Sequence, residues 1–277
     1  MLWNEIVDKA GRIGATRRNV FQEEMQKAIL TSLSRKGCFN SIVFQGGTAL
    51  RLFYGNPRFS EDIDLVLNEG VESYDLSGSM GQVGRFCHDT FPFLGSVEVK
   101  TQKHELELQR YVLRTGSDDP EQHLKVHIEL THVPSYLNHP RILEFPPIQP
   151  AVRVEDVEEI LTDKIIALAL RPYLKGRDLW DIYFLTKERP VEPQWDLVLR
   201  KTEDYNKKPS DLMEGLMKAR RKIQLDGLSI LEGELRRFLP KQVLDHYHPL
   251  YGHILDSVQE LISIIDEGRE VIDHDGG

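Results

Sequence analysis

The chain has 277 residues, 40% of them hydrophobic and 29% charged, with a formal net charge of −9. That supports one or two domains with a packed core, and the acidic balance argues against bulk electrostatic capture of nucleic acid or anionic membrane, leaving only a local basic groove. The two cysteines, Cys38 and Cys87, have no paired spacing, which fits a reducing cytosol and speaks against a disulfide framework or a zinc site.

Met1-Leu2-Trp3-Asn4-Glu5 lacks the basic-then-apolar pattern of a signal segment, and no run is long and apolar enough to span a bilayer. A cytoplasmic protein with no membrane partner is expected. Arg17 to Arg35 predicts an amphipathic helix with Val20, Met25, Ile29, Leu30 and Leu33 inward, closed by Gly37. Ile42-Val43-Phe44 predicts a short buried strand. Gly46-Gly47 removes two Cβ atoms, so the backbone turns sharply and can approach a ligand. Thr48 is the expected N-cap of a helix that ends at Tyr54-Gly55-Asn56-Pro57. A helix start behind two glycines suits a phosphate. Asp62 and Asp64 then share one face of a strand whose other face carries Ile63 and Leu65. Side-by-side carboxylates repel unless a cation sits between them. Mg²⁺ takes one or two protein carboxylates together with substrate phosphates. An isolated Asp-x-Asp reads as a solvated acidic face; behind Gly-Gly-Thr it reads as a metal site.

Beyond that strand a Gly/Ser-rich loop is expected at Ser77-Gly78-Ser79, then a helix to Phe91. Extended segments follow at Val97 to Lys100, Leu106 to Leu113 and Leu124 to Thr131. In the last of these, Lys125, His127 and Glu129 share the polar face, so Glu129 is either a site acid or a partner of Lys125 or His127. Pro134, Pro140, Pro146-Pro147 and Pro150 suggest a linker, with an α/β domain over residues 1–150 and a helical domain over 151–277. Val157 to Leu170 has helical spacing, with Leu161, Ile165 and Leu168 inward and Lys164 two turns from Arg171. Pro172 and Gly176 break that helix. Asp178 and Asp181 share a helical face, and Asp178 alone is explained equally well as a helix cap. Trp180, Tyr183 and Phe184 read as core. Arg200-Lys201, Lys207-Lys208, Arg220-Arg221-Lys222 and Arg236-Arg237 read one by one as solvated helix faces, and together as a groove for an RNA backbone. The tail, residues 273–277, is expected to be disordered.

The set Gly46-Gly47-Thr48-Ala49-Leu50-Arg51, Arg58-Phe59-Ser60, Asp62-Ile63-Asp64-Leu65, Leu161-Thr162-Asp163-Lys164 and Arg177-Asp178-Leu179-Trp180-Asp181 resembles the AbiEii/AbiGii toxin-like nucleotidyltransferases. These are a branch of the polymerase-β-type nucleotidyltransferase superfamily. The resemblance spans roughly residues 20 to 190. This chain has Gln45 where family members often carry Lys, and Glu129 where a third, Asp-like carboxylate stands. The resemblance implies an α/β (α+β) fold, a mixed sheet with flanking helices followed by a mainly helical part that completes the cleft. It implies an enzyme that uses an NTP with Mg²⁺ or Mn²⁺ on Asp62, Asp64 and Glu129. It places Gly46, Gly47, Thr48, Arg58, Ser60, Lys164, Arg177 and Asp178 on the nucleotide, and Lys164 and Asp181 among the catalytic residues. It further implies a toxin whose acceptor is RNA, such as a tRNA end, or a protein, and whose partner is a cognate antitoxin. A non-catalytic nucleotide- or RNA-binding module acting through a protein partner is the alternative.

Overall fold

The structure, a computed structural model, describes residues 1–275, with side chains described to Ile265. It is mixed α/β and forms two compact units, one from Met1 to Asp156 and one beginning at Val157.

The first unit is built on a seven-stranded sheet in the order β3-β4-β5-β2-β1-β7-β6. The strands are β1 (Ile42–Gln45), β2 (Ile63–Asn68), β3 (Ser96–His104), β4 (Leu108–Gly116), β5 (Lys125–Ser135), β6 (Asn138–Ile142) and β7 (Ala151–Glu155). β1 runs antiparallel to β2 and parallel to β7, while β2 runs parallel to β5. Ile42, Val43, Phe44, Ile63, Leu65, Val126, Ile128 and Leu130 are buried, as their spacing predicts. The three extended segments expected after residue 96 are β3, β4 and β5.

The proline-rich stretch is not a linker. It supplies β6 and β7, and β7 pairs with β1. Prolines fit here for local reasons. Pro134 falls where the β2–β5 register shifts, and Pro140 lies on β6, a sheet edge where a missing N–H costs little. A second correction concerns Ser77-Gly78-Ser79, which opens helix α4 (Ser77–Thr90) instead of forming a loop. The Asp75 carboxylate, one residue before the N-cap Leu76, accepts from Ser77 N–H at 2.8 Å and satisfies one of the free N–H groups of the first turn.

Helix α1 (Trp3–Ile13) precedes α2 (Arg17–Arg35), which is capped by Thr16 and followed by Gly37 in the left-handed region at φ 72°. The predicted inward residues of α2 are buried, but so are Gln22, Glu23, Glu24 and Gln26. These polar groups are satisfied by neighbours. Glu23 accepts from Arg51 Nε at 2.6 Å, and Glu24 from Lys9 Nζ at 2.6 Å.

The second unit is helical: α5 (Val157–Leu170), α6 (Gly176–Tyr183), α7 (Trp195–Asp204), α8 (Pro209–Phe238), α9 (Lys241–Tyr247) and α10 (Tyr251–Asp275). Leu161, Ile165, Leu168, Trp180, Tyr183 and Phe184 are in its core. Gly176 lets α6 lie on α8, since a Cβ there would stand 2.7 Å from the Ile230 carbonyl oxygen. Lys201, expected in a basic surface cluster, is fully buried and pairs with Glu159 at 2.7 Å and Asp163 at 2.8 Å, joining α7 to α5. The tail expected to be disordered is helical through Asp275, and residues 276 and 277 lie outside the described residues. No helix among the described residues is long and apolar enough to cross a membrane.

Candidate active site

In the first unit the site grows out of the sheet register. Gln45 pairs with Asp64, Asp64 with Glu129, and Glu129 with Arg110. Residues paired across neighbouring strands point to the same face, so four polar side chains stand in a row across β1, β2, β5 and β4. Asp62 directly precedes β2 and lines one pocket with Arg110 and Glu129.

Helix α3 (Gly46–Tyr54) begins at Gly46, with Gln45 at the cap position. Thr48 is therefore inside the helix and is not its cap. Its Oγ1 donates to the Asp62 carbonyl oxygen at 2.5 Å, which ties the helix start to the residue before β2. Gly46 has φ +81°, a conformation that favours glycine, and a Cβ there would lie 2.7 Å from Asp64 Oδ2. A Cβ on Gly47 would meet the Arg58 guanidinium and would lie 3.1 Å from Ser60 Oγ. The glycine turn is thus packed directly against Asp64, Arg58 and Ser60.

Arg58 is 1% exposed and donates through Nη1 to the Phe59 carbonyl at 2.8 Å. Two residues that sequence reasoning passed over fix the loop leading into Asp62. Gln22 donates to the Glu61 carbonyl at 2.7 Å and Gln26 to the Ser60 carbonyl at 3.0 Å. Their one-turn spacing on α2 was a usable signal, but the apolar periodicity of the helix hid it. Arg51 adds a third tie, donating to the Pro57 carbonyl at 3.0 Å and stacking over the Phe59 ring at 4.0 Å.

An open pocket of about 390 Å³ is lined by Arg18, Glu61, Asp62, Arg110, Lys125, His127 and Glu129. Glu129 is gripped at both oxygens by Arg110, Nε to Oε1 at 2.8 Å and Nη2 to Oε2 at 3.1 Å. Burial and then Lys125 push the His127 imidazole below its ordinary pKa, so it stays neutral near pH 7. Among the described residues, no group of three acidic, His or Cys side chains converges on a metal position. Asp62 and Asp64 are two hard carboxylates beside the Gly46-Gly47 turn. Such a set fits a divalent cation that completes its shell with waters and substrate phosphates.

In the second unit, Lys164 Nζ lies 3.0 Å from Asp178 Oδ1 and 2.8 Å from Asp181 Oδ2. Arg171 makes a very short contact with the other Asp178 oxygen. Asp178 is thus not a cap: its side chain is buried between Lys164, in the middle of α5, and Arg171, just after that helix. Burial acts to raise its pKa, but Lys164 and Arg171 outweigh that and hold the carboxyl below the ordinary aspartate value. Arg177, at the start of α6, points instead to Glu234, with Nε 3.5 Å from Oε2, and to the Phe238 ring at 5.2 Å.

A mixed sheet carrying Asp-x-Asp beside a Gly-Gly turn, with a helical unit behind it in sequence, defines a nucleotidyltransferase-type protein. The chain belongs to the family described as nucleotidyl transferase AbiEii toxin of type IV toxin–antitoxin systems, whose profile matches residues 28–257. Among solved structures it is similar to JHP933 from Helicobacter pylori, with 20% identity and a TM-score of 0.54 over 93% of this chain and 99% of that one. It is also similar to MenT4, a nucleotidyltransferase toxin from Mycobacterium tuberculosis, with 15% identity and a TM-score of 0.47 over 93% of this chain and 92% of that one. No curated protein matches the chain. The family makes it a nucleotidyltransferase of the toxin class.

Proposed function

We propose that this nucleotidyltransferase moves a nucleotide from an NTP to a hydroxyl of RNA, such as a tRNA end, in the cytoplasm, and that an antitoxin protein restrains it. The observation that carries the proposal is the row Gln45–Asp64–Glu129–Arg110 with the Gly46 backbone against Asp64.

Asp62 and Asp64 are the proposed ligands of Mg²⁺ or Mn²⁺, with Glu129 as a third once it leaves Arg110. The metal, when bound, offsets charge on the triphosphate and acidifies the attacking hydroxyl. The N–H groups at the start of α3 face phosphate oxygens behind Gly46 and Gly47, with Thr48 fixing that turn. Arg58 and Ser60 flank it. Glu129 takes the proton as the acceptor oxygen bonds to the α-phosphorus. The bond from that phosphorus to the bridging oxygen breaks, and pyrophosphate leaves with its electron pair. Lys164 is the proposed point charge for the departing phosphates, held in orientation by Asp181 and Asp178. Arg177 is a further proposed nucleotide contact, although its side chain faces Glu234.

The test is metal-dependent pyrophosphate release and label transfer when the pure protein meets labelled NTPs and total RNA. Asp62→Ala and Asp64→Ala should each remove both signals while the melting temperature holds. Label appearing on a protein in place of RNA would replace the acceptor. Transfer persisting in the folded double variant would overturn the metal assignment.

A further inference from the structure

The helical unit contains a basic pocket that the reaction above does not use. It has a volume of about 430 Å³, and its lining comes from the end of α5, the turn after it and the face of α8. Gly215 on α8 makes the close approach possible, since a Cβ there would collide with the Ala169 carbonyl. Four cations line the pocket, Arg171, Lys207, Lys218 and Lys222, against two acids, Asp211 and Glu214. A surplus of cations stands out on a chain of net charge −9.

The ordinary explanation is compensation of the negative end of α5. Arg171, the residue after α5, meets that need and is also paired with Asp178. It does not account for three lysines brought in from Lys207 and from α8. Lys218 pairs with Glu214 at 2.6 Å, but both side chains are largely exposed, and such a pair is weak and easily exchanged. Lys207 and Lys222 form no ion pair among the described residues. Tyr173, also in the lining, is 56% exposed, with the Lys175 ammonium 5.6 Å from its ring. An exposed aromatic beside unpaired cations in a concave site is the arrangement that holds single-stranded nucleic acid, with a base stacked on the ring and phosphates on the lysines.

We infer that this pocket is a docking site for a single-stranded segment of RNA, with Lys207, Lys218 and Lys222 on its phosphates and Tyr173 under one base. The inference rests on the reading of the acceptor as RNA. Arg171 joins the pocket to Asp178, and Asp178 to Lys164. A strand seated here therefore lies two ion pairs from the lysine assigned to the triphosphate. A concave site of this size suits an unpaired end and not a duplex face.

The experiment uses the full chain and two variants, Lys207→Glu with Lys222→Glu, and Tyr173→Ala. Fluorescence anisotropy of a labelled single-stranded oligoribonucleotide gives affinity between low and moderate salt, and calorimetry gives NTP affinity. The double charge reversal should weaken RNA binding at least tenfold and flatten the salt slope by about 1.4, the share of two phosphate contacts. Tyr173→Ala should lose roughly tenfold with the salt slope intact, as expected for one lost stack. NTP affinity should stay at the wild-type value in both. RNA affinity and slope unchanged in both variants would overturn the docking site. Loss of NTP affinity in parallel would make it a mononucleotide site, and loss of a polyglutamate peptide with RNA unaffected would make it a site for an acidic protein; either result overturns the inference. If wild type binds RNA through these residues but transfers nothing, the docking site stands and the proposed reaction falls. If the variants transfer to RNA with unchanged KM, the docking site falls and the reaction stands.

Discussion

Glu129 stands beside Asp64 in the parallel β2–β5 ladder, yet both of its oxygens are held by Arg110, the next residue in the same row. The acid proposed as base and third ligand is thus neutralised by a neighbour that must yield before it can serve. The pair is partly exposed, Arg110 more than a third, so it contributes at most about 1 kcal/mol to stability.

Arg110→Gln should therefore leave the melting temperature nearly unchanged and raise Mn²⁺ affinity severalfold, because Glu129 no longer competes with a guanidinium. Glu129→Gln should lower it. Electron paramagnetic resonance of free Mn²⁺ reads both without turnover. Identical Mn²⁺ affinity in wild type and both variants would return Glu129 to a surface ion pair.

The glycine turn offers a second check. Gly47→Val places a branched side chain against the buried Arg58 guanidinium and Ser60. Overpacking of this kind costs about 1–3 kcal/mol, so a lower melting temperature is expected along with lost NTP affinity. Calorimetry on the folded fraction separates the two effects. NTP affinity equal to wild type would make the turn purely structural.

Lys164 needs a more careful variant than simple truncation. It lies between two buried carboxylates, so Lys164→Ala takes from both Asp178 and Asp181 the cation they share. Removing one partner of such a buried set costs about 3–5 kcal/mol. Lost activity in that protein would not separate chemistry from folding. Lys164→Met combined with Asp181→Asn should restore most of the stability and still lack transfer. Lys164→Arg should recover transfer only in part, since its planar fork is not a compact point charge. Full transfer by the stable double variant would remove Lys164 from the reaction.

The same cluster sets a pH response. The Asp178 carboxyl titrates below its ordinary value in the folded protein. Its contribution to stability is present in full above about pH 4, the unfolded aspartate range, and is lost as pH falls through the lower folded value. Acid unfolding followed by circular dichroism should show this loss below about pH 4 in wild type. Asp178→Asn, less stable at neutral pH, should show a flatter acid limb. Parallel acid limbs for the two proteins would contradict the assignment.

Lys201 provides a contrast with the exposed lysines. It is 0% exposed and shared by Glu159 and Asp163. Lys201→Met should cost about 3–5 kcal/mol, because the buried Glu159 and the partly buried Asp163 both lose this cation. Lys207→Glu and Lys222→Glu should shift the melting temperature little. Equal thermal stability of Lys201→Met and wild type would show that the buried triad contributes nothing.

Much of this protein was legible in the sequence, because much of it is decided locally. Alternation placed Ile63 and Leu65 opposite Asp62 and Asp64. Gly46-Gly47 allowed one conformation that other residues resist, and helical spacing gave α2 and α5 with their inward faces. Motif resemblance then named the family. Tertiary structure alone decided the rest, since each of those features depends on partners far away in the chain. Of the prolines read as a linker, Pro134 lies in β5 and Pro140 in β6, because a register shift and a sheet edge tolerate a missing N–H. Lys201 left the surface because Glu159 and Asp163, about forty residues earlier, were waiting inside. Glu129 met Arg110 because β4 lies next to β5 in this register. Local pattern fixes which way a side chain points along its own strand or helix; which charge it finds there is settled only when the elements pack.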